Sequence, residues 1–260
     1  MIKIESSANP RYKQLRKLAE SSRERHKNRQ TLLDGIHLLK ASVANGALPE
    51  YVVATEAGIR QPEVTAFLSI NASLPVFLLE ERLFQTISPV ENASGVLGVI
   101  GIPDVRPSKV ADFCIALEDI QDPGNLGGIL RTAAAAGVRQ AYLSKGCVDA
   151  WSPKVLRGGM GAHFLLEIYT NTGLPEFVRQ FNGATLATLP EAGTSLYQVD
   201  LKQPVAVLLG NEGAGLSPDL AALASQQVRI PMPGAMESLN VAAAAAICLF
   251  EVVRQRQAGG

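Results

Sequence analysis

A chain of 260 residues that is 47% hydrophobic and only 18% charged can bury a sizeable core, enough for one large domain or two small ones, which excludes general disorder. Its longest strongly apolar stretch, Val241 to Val253, includes the alanine run Ala242 to Ala246 and falls short of the roughly 18 to 20 residues a membrane span needs. The formal net charge is zero, yet residues 1–40 carry ten basic side chains against four acidic ones, and the rest of the chain holds the balancing acidic excess.

The N-terminus runs straight into charged residues and lacks the apolar core of a secretory signal. A cytoplasmic protein without a membrane partner is therefore expected. Pro10 is followed by Leu15 and Leu18 with Arg and Lys between them, and Arg23 to Gln30 has almost no apolar face, as in a solvated basic helix. Thr31 to Ala44 regains amphipathic spacing through Leu32, Leu33, Ile36, Leu39 and Val43, which predicts a helix ending near Asn45-Gly46. Short strands are predicted at Tyr51–Ala54, Pro75–Leu79 and Gly95–Ile100, with helices around Gln61–Ser69 and Glu80–Ile87 between them. The first hundred residues thus read as a small α/β domain. Ile102 to Ser108 holds two prolines and no apolar period, the composition of a linker. The expected domains are 1–103 and 110–260.

Beyond the linker, apolar runs at Phe113–Leu117, Gln140–Leu143, Phe164–Ile168, Ala184–Ala187, Val205–Leu209 and Gln227–Ile230 alternate with helical stretches. That texture predicts a parallel sheet with helices on both faces. Ligands of such sheets bind beyond the carboxyl ends of the strands, so the loops after Leu117, Leu209 and Ile230 are the candidate site. The first runs Glu118-Asp-Ile-Gln-Asp-Pro-Gly-Asn-Leu-Gly-Gly-Ile-Leu-Arg131, where glycines at a helix start permit close approach and the helix N-terminus favours an anion. An ordinary turn with a surface arginine fits this segment equally well. The second, Leu208 to Ser217, sets Glu212 among three glycines; the third, Ile230 to Asn240, is stiffened by two prolines and leads into a helix over about Leu239 to Arg256 that Ser238 or Glu237 would cap. No G-x-G-x-x-G or G-x-x-x-x-G-K-[ST] is present, which weighs against a nicotinamide-dependent oxidoreductase. Cys114, Cys147 and Cys248 form no C-x-x-C pair, so no disulfide framework or zinc site is indicated, and no carboxylate cluster suggests another metal.

Taken together, Asn125-x-Gly-x-x-x-Arg131-Thr-Ala, Leu209-Gly-Asn-Glu212-Gly-x-Gly-Leu-Ser and Ile230-Pro-Met-x-Gly-x-x-x-Ser238-Leu-Asn240-Val resemble the three signature motifs of the SpoU (TrmH-like) ribose methyltransferases of the SPOUT superfamily. Ser152-Pro-Lys-Val-Leu-Arg157-x-x-Met-Gly-Ala also resembles the family, and Asn9-Pro-Arg-Tyr-Lys13 with its basic helix is similar to the L30e-like substrate-binding domain often fused ahead of that core. Asp34-Gly35 departs from the Glu-Gly of many relatives. The resemblance implies an L30e-like N-terminal domain followed by a parallel-sheet SPOUT catalytic domain with a C-terminal trefoil knot, an exception to the usual absence of knots. It implies S-adenosylmethionine held through Leu208, Leu209, Gly210, Ile230, Pro231, Met232, Ser238 and Leu239, and a homodimer packed knot against knot through the last helix. The implied activity is methylation of a ribose 2′-hydroxyl in RNA, ribosomal RNA before tRNA, with a non-catalytic ribosome-associated RNA-binding protein as the rival. Arg131 would orient the hydroxyl and stabilise the developing alkoxide, with Asn125, Glu212, Ser238 and Asn240 completing the polar pocket. Arg11, Lys13, Arg16, Arg23, Arg25, Arg29 and Arg157 are the expected RNA contacts. His26, His37 and His163 are not placed for this chemistry.

Overall fold

The computed structural model describes residues 1–88, 94–105 and 109–258; Arg106 to Ser108 of the expected linker lie outside them. The chain divides into two compact units, Met1–Asp104 with Trp151–Phe164, and Val105–Ala150 with Leu165–Gly260. Residues 151–164, expected with the second domain, thus pack with the first unit.

The first unit contains β1 (Ile2–Ile4), α1 (Pro10–Glu20), α2 (Ser22–Asn28), β2 (Gln30–Asp34), α3 (Ile36–Ala44), β3 (Tyr51–Ala54), α4 (Glu56–Ile59), α5 (Pro62–Ile70), β4 (Val76–Leu79), α6 (Glu81–Gln85) and β5 (Val96–Gly101). The strands form one sheet in the order β1-β4-β3-β5-β2. Asn9 caps α1 by accepting from the Arg11 amide, and Pro10 opens the helix. Tyr12, Leu15 and Leu18 then fall on one face and join Leu32, Tyr51, Phe77 and Phe84 in the core.

Thr31 to Ala44 is a point of correction, because its first third is strand. Gly35 sits at φ +98°, a conformation no helix interior accepts. Residues 30–34 pair antiparallel with β5, and both faces of that strand are covered, so Leu32 and Leu33 are each buried. Two adjacent leucines suit such a strand as well as a helix, and sheet pairing decides between them. Asp34 ends the strand with its carboxylate buried, accepting from Ser94 Oγ at 3.0 Å, Ser88 Oγ at 3.3 Å and Arg157 Nη1 at 3.0 Å. Arg157 belongs to α8 (Pro153–Gly159), and Thr31 Oγ1 donates to the Trp151 carbonyl at 2.5 Å. These two bonds fasten the 151–164 excursion to β2.

The second unit is built from β6 (Phe113–Leu117), α7 (Pro123–Ala135), β7 (Gln140–Leu143), β8 (Glu167–Tyr169), α9 (Leu174–Gln180), β9 (Ala184–Thr188), β10 (Thr194–Ser195), β11 (Val205–Leu209), α10 (Pro218–Leu223), β12 (Gln226–Arg229) and α11 (Val241–Gln257). Its sheet is wholly parallel, in the order β10-β12-β9-β11-β6-β7-β8. Cys114, Ala116, Ala206 and Leu208 face α9 and α10; side chains alternate across a strand, so Ile115, Leu117, Val207 and Leu209 turn to the side of α11, which packs on β11 and α7. Coverage of both faces explains why β6 and β11 are unbroken apolar runs. The chain proceeds from β6 outward through β7 and β8, then returns to the opposite side of β6. Order therefore reverses between β6 and β11, and the crevice at such a switch point is where open α/β sheets bind ligands. No helix among the described residues is long and apolar enough to cross a membrane.

Candidate active site

Because β6 and β11 are neighbours, the loops that leave them run side by side. The Glu118 amide donates to the Leu209 carbonyl at 2.9 Å. One residue on, Asn211 Nδ2 donates to the Asp119 carbonyl at 2.8 Å, while its Oδ1 accepts from the amides of Gly213 at 2.9 Å and Ala214 at 3.0 Å. That carboxamide closes the glycine loop into a hairpin in which Asn211 and Gly215 exchange backbone hydrogen bonds. A Cβ on Gly210 would stand 2.1 Å from the Gly215 carbonyl carbon, which is why the turn demands glycine there.

The hairpin presents Glu212 to the start of α7. Its Oε2 accepts from the Gln121 amide at 3.1 Å; its Oε1 accepts from the Asp122 amide at 3.0 Å and from Asn125 Nδ2 at 3.1 Å. Partial burial pushes the carboxyl up, but the Asp122 and Gln121 amides and the Asn125 carboxamide outweigh it and hold Glu212 below the usual carboxylate range. The turn into α7 is thus occupied by the protein's own carboxylates: Glu212 takes the amides ahead of the helix, and Asp122 caps it by accepting from the Asn125 amide at 2.8 Å.

Asn125 is also the acceptor of the third loop, since Asn240 Nδ2 donates to Asn125 Oδ1 at 2.9 Å. Asn240 Oδ1 faces the other way and caps α11, accepting from the amides of Ala242 at 2.9 Å and Ala243 at 3.3 Å. The cap expected from Ser238 or Glu237 is therefore Asn240. These bonds orient both amides without ambiguity: the helix amides demand the Asn240 oxygen, its nitrogen then faces Asn125, and the Asn125 nitrogen faces Glu212. Three loops, the first more than eighty residues from the other two, end on one polar relay.

Beside the relay lies a cavity of about 360 Å³, within the range of about 300–1,000 Å³ usual for small-molecule sites. Leu209, Gly210, Ile230, Met232, Ser238 and Leu239 line it as expected, and the glycine loop supplies a wall of bare backbone. Leu208 and Pro231 do not line it. The Leu208 side chain is in the core, because alternation turns it from its neighbour Leu209, and its carbonyl accepts from Thr188 Oγ1 at 2.9 Å. Sequence reasoning missed Asn211 and the end of β9 with the loop after it, where Thr188 and then Leu189, Pro190 and Glu191 complete the wall. The same carboxyl-end rule and the turn-forming Pro190 and Gly193 would have found that loop. Arg131 is exposed on α7, outside both relay and cavity wall, and no ion pair or hydrogen bond engages its side chain among the described residues.

The expected RNA contacts separate on burial. Lys13 and Arg23 are exposed; Arg16 pairs with Glu20 at 2.9 Å and Arg29 with Asp104 at 3.3 Å on the surface. Arg11 lies over the Phe77 ring at 4.0 Å. Arg25 is a correction: at 4% exposure it is interior, where its Nη1 donates to the carbonyls of Leu18 at 2.7 Å and Ala19 at 3.2 Å at the end of α1. Those orphan helix carbonyls take the cation. Arg157 holds the buried Asp34.

Among the described residues, the charged members of the cavity wall are two carboxylates, Glu191 and Glu212, with no lysine or arginine. A phosphate-bearing cofactor would find no counter-charge there, whereas apolar walls and glycine backbone suit a flat nucleoside that carries positive charge. That wall is compatible with the S-adenosylmethionine of the ribose methyltransferases whose motifs the sequence resembles. Residues 112–250 match the model of the SpoU rRNA Methylase family, and residues 9–98 match that of the MRM3-like substrate binding domain. The chain is 36% identical, over 98% of its length and 94% of the relative, to an uncharacterized tRNA/rRNA methyltransferase of Synechocystis. It is 29% identical, over 97% and 99%, to the 23S rRNA (guanosine-2′-O)-methyltransferase RlmP of Bacillus subtilis. Among solved structures, an AdoMet-bound rRNA methyltransferase from Sinorhizobium meliloti superposes with a TM-score of 0.81 at 31% identity, covering 97% of each chain. The protein belongs to the SpoU rRNA methylase family.

Proposed function

We propose that this protein transfers the methyl group of S-adenosylmethionine to a ribose 2′-hydroxyl of ribosomal RNA, working in the cytoplasm. The observation that carries this reading is the convergence of Asn125, Glu212 and Asn240 beside a cation-free, nucleoside-sized cavity. The relatives named for rRNA methylation, which this chain spans almost end to end, support ribosomal RNA over tRNA.

Leu209, Gly210, Ile230, Met232, Ser238 and Leu239 would hold the cofactor against the glycine loop. When bound, it supplies a methyl group on a sulfonium, a good leaving group, so the protein's task is alignment and management of the hydroxyl proton. Glu212 places both its oxygens on amide and carboxamide donors and so locks the glycine loop to the start of α7. Asn125 and Asn240 each keep one amide hydrogen outside the relay bonds and can turn it to the target nucleotide. Arg131, whose guanidinium has no partner among the described residues, orients the 2′-hydroxyl and its neighbouring phosphate and stabilises the alkoxide as it develops. The first unit grips RNA phosphates through Lys13, Arg16, Arg23 and Arg29; its match to a substrate-binding domain supports that division of labour.

Two finer points belong to the same reading. The loops after β9, β11 and β12 form a deep trefoil knot; the insertion of β11 between β6 and β9, with β12 outside β9, supports this. Two copies pack knot against knot through α11; the exposed Met236, Leu239 and Phe250 near that helix support a homodimer.

The test is transfer of radiolabelled methyl from S-adenosylmethionine to purified ribosomal RNA, to ribosomal subunits and to tRNA, followed by alkaline hydrolysis. Label in ribosomal RNA at an alkali-resistant linkage is the expected result. Label confined to tRNA, or in a base, would overturn the substrate or the acceptor atom respectively.

A further inference from the structure

We propose that Glu191 reads the positive charge of the cofactor and gives the cavity its preference for a cationic ligand. This rests on the cavity being the S-adenosylmethionine site. Glu191 lies three residues past the end of β9 and is part of the cavity wall. Its turn is firmly built. The Ala192 amide donates to the Leu189 carbonyl at 3.3 Å, Ala192 itself is buried, and Arg229 Nη1 donates to the carbonyls of Ala192 at 2.8 Å and Gly193 at 3.2 Å.

Arg229 therefore spends its guanidinium on the backbone beside Glu191 and leaves the carboxylate alone. Among the described residues, Glu191 has no ion-pair or hydrogen-bond partner. The other acid of the wall, Glu212, has its charge met by three N–H donors. One exposed carboxylate without a protein partner thus remains on a wall that, among the described residues, has no lysine, arginine or histidine. S-adenosylmethionine carries a sulfonium and an ammonium against a single carboxylate, so it brings a net positive charge that this wall can meet only through Glu191. The recognised chemistry is the positive charge, and the two cationic centres are its two possible sources.

Calorimetric titration of the full chain with S-adenosylmethionine, S-adenosylhomocysteine and the uncharged nucleoside 5′-methylthioadenosine tests this directly. Glu191→Gln keeps the shape and removes the charge. It is expected to weaken S-adenosylmethionine about threefold to tenfold and leave 5′-methylthioadenosine unchanged. An equal loss for S-adenosylhomocysteine identifies the ammonium as the source, and a loss confined to S-adenosylmethionine identifies the sulfonium. Glu191→Lys should weaken the charged cofactor further, with a deficit that shrinks as salt is raised. Unchanged S-adenosylmethionine affinity in both variants overturns the proposal, as does an equal loss for all three ligands, which would place Glu191 against the ribose or in a purely structural role. Failure of the unmodified protein to bind any of the three would instead overturn the placement of the cofactor, and with it the role of Glu191.

Discussion

Asn240 carries two tasks on one carboxamide, and the two can be separated. Asn240→Ala removes the cap of α11, at a cost of about 1 kcal/mol, and also frees Asn125; both stability and methyl transfer should fall. Asn240→Asp keeps an oxygen for the helix amides but loses the donor to Asn125. Denaturant unfolding is expected to stay near that of the unmodified chain, while transfer drops at least tenfold; equal transfer in Asp and Asn forms would show the relay to be idle. Glu212 sets the acid limit of the site. Its carboxyl is held below the ordinary range, so its contribution is fully present above the unfolded value of roughly 4.3 and is lost as pH falls through the lower folded value. Thermal unfolding of Glu212→Gln against the unmodified protein should therefore show a stability gap at neutral pH that closes only in strong acid. A gap that closed between roughly pH 7 and 5 would mean that the carboxylate is not engaged as described. Arg131→Ala is expected to abolish transfer and leave calorimetric binding of S-adenosylmethionine unchanged, since the side chain lies off the cavity wall; loss of binding would contradict its assignment to the target nucleotide.

At the level of elements, the site is two strand exits and one helix start tied by side chains. The alanines of α11 make it a strong helix former and keep it slim where it meets α7; a Cβ on Gly128 would find the Ala242 methyl at 3.6 Å. The hairpin after β11 is the less tolerant element. Gly210→Ala would drive a methyl group into the Gly215 backbone, and backbone cannot move aside cheaply. The hairpin should open, with S-adenosylmethionine affinity falling by tenfold or more by calorimetry, while circular dichroism shows the sheet retained. The contrast with Thr31–Ala44 is instructive. Leu32, Leu33, Ile36 and Leu39 satisfy a helical spacing, yet Gly35 and the pairing of residues 30–34 with β5 make the first part a strand. Arg25 shows the same override for charge: a run of basic residues reads as a solvated face, and one member of it is interior.

For the whole molecule, the uneven charge is the property that bears on RNA. The basic excess of residues 1–40 should give an affinity for ribosomal RNA that falls steeply with salt. Lys13→Glu with Arg23→Glu should weaken RNA binding in filter assays and flatten the salt slope by about two, with cofactor affinity unaltered. An unchanged slope would move the RNA contact elsewhere.

Sequence alone was enough for the two-part α/β organisation, the parallel texture of the second part and the three glycine- and proline-marked loops. Apolar period, β-rich runs and turn residues are local signals, and Asn125, Glu212 and Asn240 stand inside them. Their connection is not local. Glu212 meets the start of α7 because the strand order reverses between β6 and β11, and that adjacency depends on how the sheet closes over its core. The same closure decided that Leu208 faces the core while Leu209 lines the cavity, that the loop bearing Glu191 joins the wall, and that residues 151–164 belong with the first unit. Each of these follows from which side of a strand meets which helix, an outcome of packing between segments far apart in the chain.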